Sequence, residues 1–359
     1  MTMPRVLMLG PSIDARGGMS TVEHNIIEAV KKSGDSVDFI PTYEDAGKFR
    51  KLSVAGAAYA RYLARLGGCD LVHIHMASRG SFDRKRLFMR AAFRRSVPVV
   101  VHMHGGEFGV WYEKECSEAK RAQIREAFGG CAKVIVLSEE WRTFFEDNRI
   151  CDPEKIVVLH NAVEIPARSV DVCLRQDVLF LGRLGAGKSP DVLLRAAKTV
   201  LNRHPQTRFR FGGDGDVTKY ESLAHELGVA DSCDFLGWTT GTQKEEAIRA
   251  SRVFCLPSRN EGMPMSVLEA MSYGLVTIAT PVGGVPQVIQ DGFNGYLMPI
   301  GDSEFLARRI NDLLDNSDLS VRIGRAGRKT IEESFGMDSY AQKLTKIYEE
   351  IAGGGNGFD

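Results

Sequence analysis

Residues 254–286 read FCLPSRNEGMPMSVLEAMSYGLVTIATPVGGVP. The stretch predicts a short apolar strand, a polar turn over Ser258-Arg259-Asn260-Glu261-Gly262, an amphipathic helix opening at Pro264, a strand through Thr277 and a second glycine-rich turn. Proline suits a first helical position, because its ring fixes φ near the helical value and the N–H it lacks would have had no partner there. The turn ahead of the helix leaves the amides of Gly262, Met263 and Met265 at the positive end of a helix dipole, an arrangement that binds anions. Glu261 precedes this helix and Glu269 lies in its second turn, with seven residues between them. Carboxylates do not favour an anion, but each accepts hydrogen bonds from two adjacent hydroxyls of a sugar or ribose. Phosphate-binding amides flanked by two such acceptors describe a nucleotide-sugar site. The alternative is a helix-terminal acid and an unrelated surface acid.

The rest of the chain sets the context. Its 359 residues suit two domains of roughly 150–200 residues each rather than one core. Hydrophobic content of 43% and charge of 26% are those of a soluble globular protein. No apolar run approaches the roughly 20 residues of a membrane span, and Met1–Arg5 leads into a strand without a signal-peptide pattern, so a cytoplasmic location is expected. The seven cysteines are scattered and form no C-x-x-C pair, which predicts reduced packing residues without a zinc or disulfide frame. The glycine-rich tail after Gly353 is the one segment expected to be disordered. Net charge is zero, yet Lys48–Arg95 holds 12 basic residues against Asp70 and Asp83, which implies an anionic partner for that face.

In chain order, strand 5–10 is followed by a loop through Gly17-Gly18, after which Ser20 or Thr21 caps a helix through Lys32. Glycines there let the main chain approach a ligand, although a Gly-Gly pair is also common punctuation. Strands near 36–41, 70–75, 97–103, 133–137 and 156–159 alternate with helical patterns, predicting βαβ units on a buried parallel sheet with binding residues at the strand C-termini. His73, His75, His102 and His104 end two of these strands. A metal reading of the four is set aside because residues alternate between faces along a strand, and His104, before Gly105-Gly106, is the candidate for a reacting centre. Helical segments 48–66 and 82–95 mix aromatics with Lys and Arg, which fits either an anionic lipid surface or a solvated basic face packed on its own sheet. No nucleic-acid module accompanies them. A polar stretch to about Gln176 reads as the interdomain linker.

The second half repeats the alternation. Gly182-Arg183-Leu184-Gly185-Ala186-Gly187-Lys188-Ser189 matches the P-loop pattern of an NTPase, while Pro190 and the lack of a magnesium-binding partner strand count against that reading. The same amides and lysine, with Arg183, also suit the diphosphate of a nucleotide-sugar. Asp214 and Asp216 form a D-x-D among Gly212, Gly213 and Gly215, read as a tight turn in preference to a metal site. Gly213 and Trp238 are candidates at the donor edge, Trp238 for stacking on a base.

With these residues in place, the chain resembles the family 4 retaining glycosyltransferases of GT-B fold over nearly its whole length. The resemblance rests on Glu261-Gly262-Met263-Pro264-Met265-Ser266-Val267-Leu268-Glu269, similar to the family's E-x(7)-E signature. It is supported by Gly17-Gly18-Met19, His104-Gly105-Gly106-Glu107, Gly182-Arg183 with Lys188, Gly212–Gly215 and Thr280–Gly284. It implies an α/β fold of two Rossmann-like domains with parallel sheets facing a cleft: 1–168 on the acceptor side, 169–337 on the nucleotide-sugar side, and a helix from 338–359 packing back on the first. It implies that Glu269 binds ribose hydroxyls, Glu261 the donor sugar, and Arg183 and Lys188 the diphosphate with the amides of Gly262–Met265. Gly17 and Gly18 would reach the same ligand, and His104 would lie beside the anomeric carbon. Where the family usually has Gly after the lysine, Ser189 stands here. The implied partners are a nucleotide-sugar donor, UDP or GDP, a glycan or lipid-linked acceptor, and an anionic membrane surface met peripherally by Lys48–Arg95. No metal or other cofactor is expected.

Overall fold

The computed structural model describes residues 3–32, 36–44 and 48–353, with side chains of 48–53 outside the description. The chain forms two units, Met1–Ala162 with Met337–Asp359, and Val163–Gly336.

The first unit alternates β1 (Val6–Gly10), α1 (Gly18–Lys32), β2 (Val37–Pro41), α2 (Lys48–Arg65), β3 (Leu71–Met76), α3 (Gly80–Phe93) and β4 (Val99–Met103). After the short α4 (Phe108–Val110) come α5 (Glu118–Gly129), β5 (Lys133–Val136), α6 (Glu139–Asp147) and β6 (Ile156–Val158). Runs such as VLMLG, LVHIHM and VVVHM are apolar along their length because both faces of a parallel sheet are covered, and β1, β3 and β4 are buried throughout. All pairings in the order β2-β1-β3-β4-β5-β6 are parallel. Ser117 and Ser138 cap α5 and α6 by accepting from the Lys120 and Trp141 amides.

The second unit runs β7 (Asp177–Leu181), α7 (Pro190–Leu201), β8 (Phe209–Gly212), α8 (Val217–Leu227), β9 (Cys233–Gly237), α9 (Gly241–Ala250), β10 (Ser251–Leu256) and α10 (Met265–Ser272). It continues through β11 (Val276–Ala279), α11 (Val285–Val288), β12 (Tyr296–Leu297), α12 (Ser303–Asp315) and α13 (Ser317–Ser334). Its sheet order is β12-β11-β10-β7-β8-β9, again parallel. The last helix, α14 (Met337–Gly353), belongs to the first unit, where Tyr340, Leu344, Ile347 and Tyr348 are buried.

In both sheets strand order reverses about one pair, β1/β3 in the first and β7/β10 in the second. Loops leaving the C-terminal ends of such a pair diverge to opposite faces and open a crevice.

Four sequence expectations are corrected. Residues 163–168, expected in the first unit, are held in the second by the Val163 amide donating to Phe335 O at 2.9 Å. Helix α1 starts at Gly18, so Ser20 and Thr21 are inside it rather than capping it. Pro264 is an N-cap with ψ of 118°, and α10 begins one residue later, at Met265. The aromatics of segments 48–66 and 82–95 do not form an outward lipid-facing stripe among the described side chains. Tyr62, Phe82 and Phe88 are buried, Tyr59 packs edge-on against Phe88, and the Tyr62 hydroxyl donates to Phe88 O. Phe49, Arg50, Lys51 and Leu52 lie outside the described side chains. No described helix is long and apolar enough to cross a membrane.

Candidate functional site

The loops after β7 and β10 carry Lys188 and Glu261, and they leave the switch point of the second sheet. The two side chains form an ion pair, and the Ser258 hydroxyl donates to the same Glu261 oxygen at 2.6 Å. Glu261 retains only 7% of its side-chain exposure against 30% for Lys188, so the carboxylate is the fixed partner and the ammonium the more accessible one. The Arg259 amide ties the two loops by donating to Gly187 O at 2.8 Å.

The turn after β11 locks the acidic loop from the other side. Thr280 donates its hydroxyl to Ser258 O at 2.5 Å, and the Gly284 amide donates to Gly262 O at 2.6 Å. Gly283 has φ of +57°, and a Cβ there would lie 2.2 Å from Glu261 O, so only glycine permits this approach. Helix α10 follows with no acidic residue in its first turn, leaving its dipole uncompensated.

The turn after β8 packs under the loop after β7. Leu184 N donates to Asp214 O at 2.6 Å and Asp216 N to Leu184 O at 2.9 Å. A Cβ on Gly213 would stand 1.9 Å from Gly182 O. The D-x-D is therefore a turn that shapes the neighbouring loop, with Asp214 3.7 Å from the exposed Arg183 guanidinium.

The sequence candidates separate into those joined and those apart. Lys188 and Glu261 touch. Arg183 stands instead on Asp214, and Glu269 on α10 accepts from Lys244 of α9 at 2.7 Å. Trp238 is partly exposed just after β9. Lys244 was missed, and Ser258 and Thr280 stood in the quoted motifs without a role of their own. Nothing in GTQKEEAIRA marks Lys244, whose partner lies 25 residues away.

The P-loop reading fails here. Ser189 has a left-handed φ of 47° ahead of α7, and its hydroxyl donates to Ala186 O while Lys188 engages Glu261. The hydroxyl that a P-loop would offer to magnesium is thus spent on the protein's own backbone.

In the first unit, Gly17 has φ of +143° and Gly18 opens α1. Glu107 pairs with Arg79. The four histidines share one sheet face, correcting the alternating-face argument: positions two apart along a strand point the same way, and β3 and β4 align His75 opposite His102. His73 stacks on His75 with ring centroids 4.4 Å apart, and the His102 and His104 rings lie tilted to each other at 4.1 Å. His104, partly exposed at the end of β4, shares a hydrogen bond of 2.8 Å between its Nε2 and His75 Nδ1. Burial holds all four imidazoles well below their ordinary pKa, His73 at about 3. Two further buried groups were missed, Glu23 and Lys85. Burial pushes the Glu23 carboxyl up and the Lys85 ammonium down to about 7, and Lys85 also donates to His75 O. A Cβ on Gly10 would fall 1.8 Å from the Glu23 carboxylate, which explains the glycine closing β1.

Two family models match the chain. Residues 175–330 match the family described as glycosyl transferases group 1, and residues 16–165 match glycosyltransferase family 4. The chain belongs to the family 4, group 1 glycosyltransferases. A D-inositol 3-phosphate glycosyltransferase of Streptomyces scabiei is 32% identical to this chain over 219 residues, 55% of this chain and 49% of the relative. Spore coat protein SA of Bacillus subtilis is 33% identical over 182 residues, 48% of each. The family 4 chain thus spans about half the length of these curated relatives. Among solved structures, Anabaena HepE with UDP and glucose has a TM-score of 0.76 at 18% identity, covering 97% of this chain and 100% of its own. Sucrose-phosphate synthase of Thermosynechococcus elongatus has a TM-score of 0.80 at 17% identity, covering 98% and 100%. These likenesses show that the chain has the GT-B fold.

Proposed function

We propose that the protein transfers a sugar from a nucleoside-diphosphate sugar to an acceptor hydroxyl with retention of anomeric configuration. The observation that carries the proposal is Lys188 paired with Glu261 and Ser258 at the sheet switch point, ahead of the uncompensated N-terminus of α10. Lys188, Arg183 and the α10 amides offset charge developing on the diphosphate as the glycosidic bond breaks, and each such contact contributes on the order of 3 kcal/mol. Glu261 accepts hydroxyls of the transferred sugar, and Glu269 those of the ribose. No metal is required for these roles. The leaving phosphate itself takes the acceptor proton, and His104 donates or accepts a hydrogen bond to the sugar.

UDP-sugars come first as donors, since HepE was solved with UDP, with UDP and glucose, and with UDP-glucose. The acceptor we infer is a glycan or lipid-linked precursor, supported by the exposed Leu87, Arg90, Arg94 and Arg95. Flotation with anionic liposomes tests the surface, and recovery equal to that of an Arg86/Arg90/Arg94 charge-neutralised variant removes it.

The donor is tested by thermal shift across UDP-, GDP-, ADP- and TDP-sugars. A ligand at about 100 times its Kd stabilises by about 2.7 kcal/mol. Glu269→Ala and Lys188→Ala should bind donor weakly and transfer little. Wild-type turnover by both variants, folded by circular dichroism, would sink the assignment.

A further inference from the structure

His73 and His75 on β3 and His102 on β4 are fully buried, and one ring nitrogen from each lies within 4.8 Å of the other two. Two of the ring nitrogens have partners. His73 Nδ1 shares a 2.5 Å hydrogen bond with the Tyr348 hydroxyl of α14, and His75 Nδ1 shares one of 2.8 Å with His104 Nε2. The Nε2 atoms of His73 and His75 and both nitrogens of His102 have no partner among the described residues. An unpaired buried polar atom costs roughly 1–3 kcal/mol, so four in one cluster require an explanation.

Stacking alone does not supply one, because it leaves the in-plane lone pairs unsatisfied. A metal ion does. Burial keeps the imidazoles neutral, which is the ligand form. Metal-binding histidines also commonly anchor one ring nitrogen on a second group and present the other to the ion. Tyr348 and His104 anchor Nδ1 of His73 and His75 in that way, leaving Nε2 of each. We propose that His73, His75 and His102 form a buried binding site for a divalent transition-metal ion, with zinc as the ion to test. Three imidazoles suit zinc, copper or nickel, whereas calcium and magnesium prefer oxygen ligands. Zinc–nitrogen bonds of about 2.05 Å place ligand atoms about 3.3 Å apart, so binding draws the rings together by side-chain rotation. The three histidines belong to the first unit, and Lys188, Glu261 and Glu269 to the second.

One consequence reaches His104. With Nε2 of His75 on the ion, the His75 proton resides on Nδ1 and is donated to His104 Nε2. The His104 proton then resides on Nδ1, so the ion fixes that tautomer. This consequence rests on the proposed role of His104, but the metal site does not.

The test uses full-length protein without a polyhistidine tag, stripped by chelator, equilibrated with Zn2+ and dialysed. Elemental analysis should find about one zinc per chain, and Co2+ should give the visible bands of a four-coordinate site with three nitrogens and a water. His102→Leu and His73→Leu should lose the metal and the bands while keeping a native circular dichroism spectrum. No retained metal in the wild type, or equal metal in a folded variant, overturns the proposal. Should both variants unfold, X-ray absorption on the zinc-loaded wild type decides: imidazole scattering from three histidines supports the site, and a thiolate or oxygen-only shell overturns it. Donor binding is measured separately, so failure of either reading does not touch the other.

Discussion

Acidification should unfold the first unit before ordinary carboxylate titration begins. His73, His75 and His102 are fully buried and neutral, with folded-state pKa values well below the unfolded value of about 6.5. As pH falls, the unfolded chain binds protons that the native cluster refuses. Stability therefore drops from about pH 6.5 down to the folded-state value, about 3 for His73. Between about pH 7.5 and 5.5 each such histidine costs about 1.4 kcal/mol, or about 4 kcal/mol for the three. Lys85, with a folded value of about 7 against an ordinary 10.5, acts in the same direction, while the raised Glu23 carboxyl beside it acts in the opposite one, so the histidines carry the prediction. That loss is a large part of the roughly 5–15 kcal/mol that holds a domain folded. Urea titrations of chelator-treated protein, followed by emission from the buried Trp111 and Trp141, report on this unit. A change below about 1 kcal/mol, or imidazole NMR showing the cluster protonated in folded protein near pH 6, would refute the reasoning.

Gly213→Ala should cost about 2–5 kcal/mol, since it joins a left-handed φ of +154° to a Cβ 1.9 Å from Gly182 O. A lowered midpoint in thermal denaturation checks it, and an unchanged one counts against the turn. Lys244→Ala should weaken donor binding about three- to tenfold by freeing Glu269 from its ion-pair partner, a loss of about 1 kcal/mol. Calorimetry with UDP-sugar reads this, and tighter binding would mean that Lys244 competes with the ribose instead.

The alternation of strands and helices was legible because buried parallel strands announce themselves as apolar runs, as in VVVHM and VLMLG. The pairing of Lys188 with Glu261 was not, because the two are 73 residues apart and meet only through the strand order β10-β7. Pro264 shows the limit of a local rule. Proline's φ suits both N-cap and first turn, and ψ, which the sequence does not reveal, decided for the cap. The histidines differ again. Their two-residue spacing already placed each pair on one face, and only the strand register, His75 opposite His102, was hidden. Lys85, read as one of several surface cations, is buried beneath β3 and touches His75 O.

The contact between Lys188 and Glu261 sets two proposed roles against each other. A lysine neutralised by a carboxylate is a weaker phosphate ligand, yet the same contact orients the carboxylate for sugar hydroxyls, and Ser258 holds it from the other side. A diphosphate carries more charge than one carboxylate and outcompetes it for the ammonium, so donor binding exchanges one partner of Lys188 for another. Glu261→Gln separates the roles. The amide keeps the shape and an acceptor oxygen but releases Lys188, so UDP should bind about fivefold tighter, about 1 kcal/mol. Sugar transfer should fall at the same time, because a neutral oxygen accepts hydroxyls more weakly than a carboxylate. If UDP instead binds more weakly to Glu261→Gln, the carboxylate is positioning Lys188 for the phosphate rather than competing for it, and the division of labour proposed for the two residues has to be redrawn.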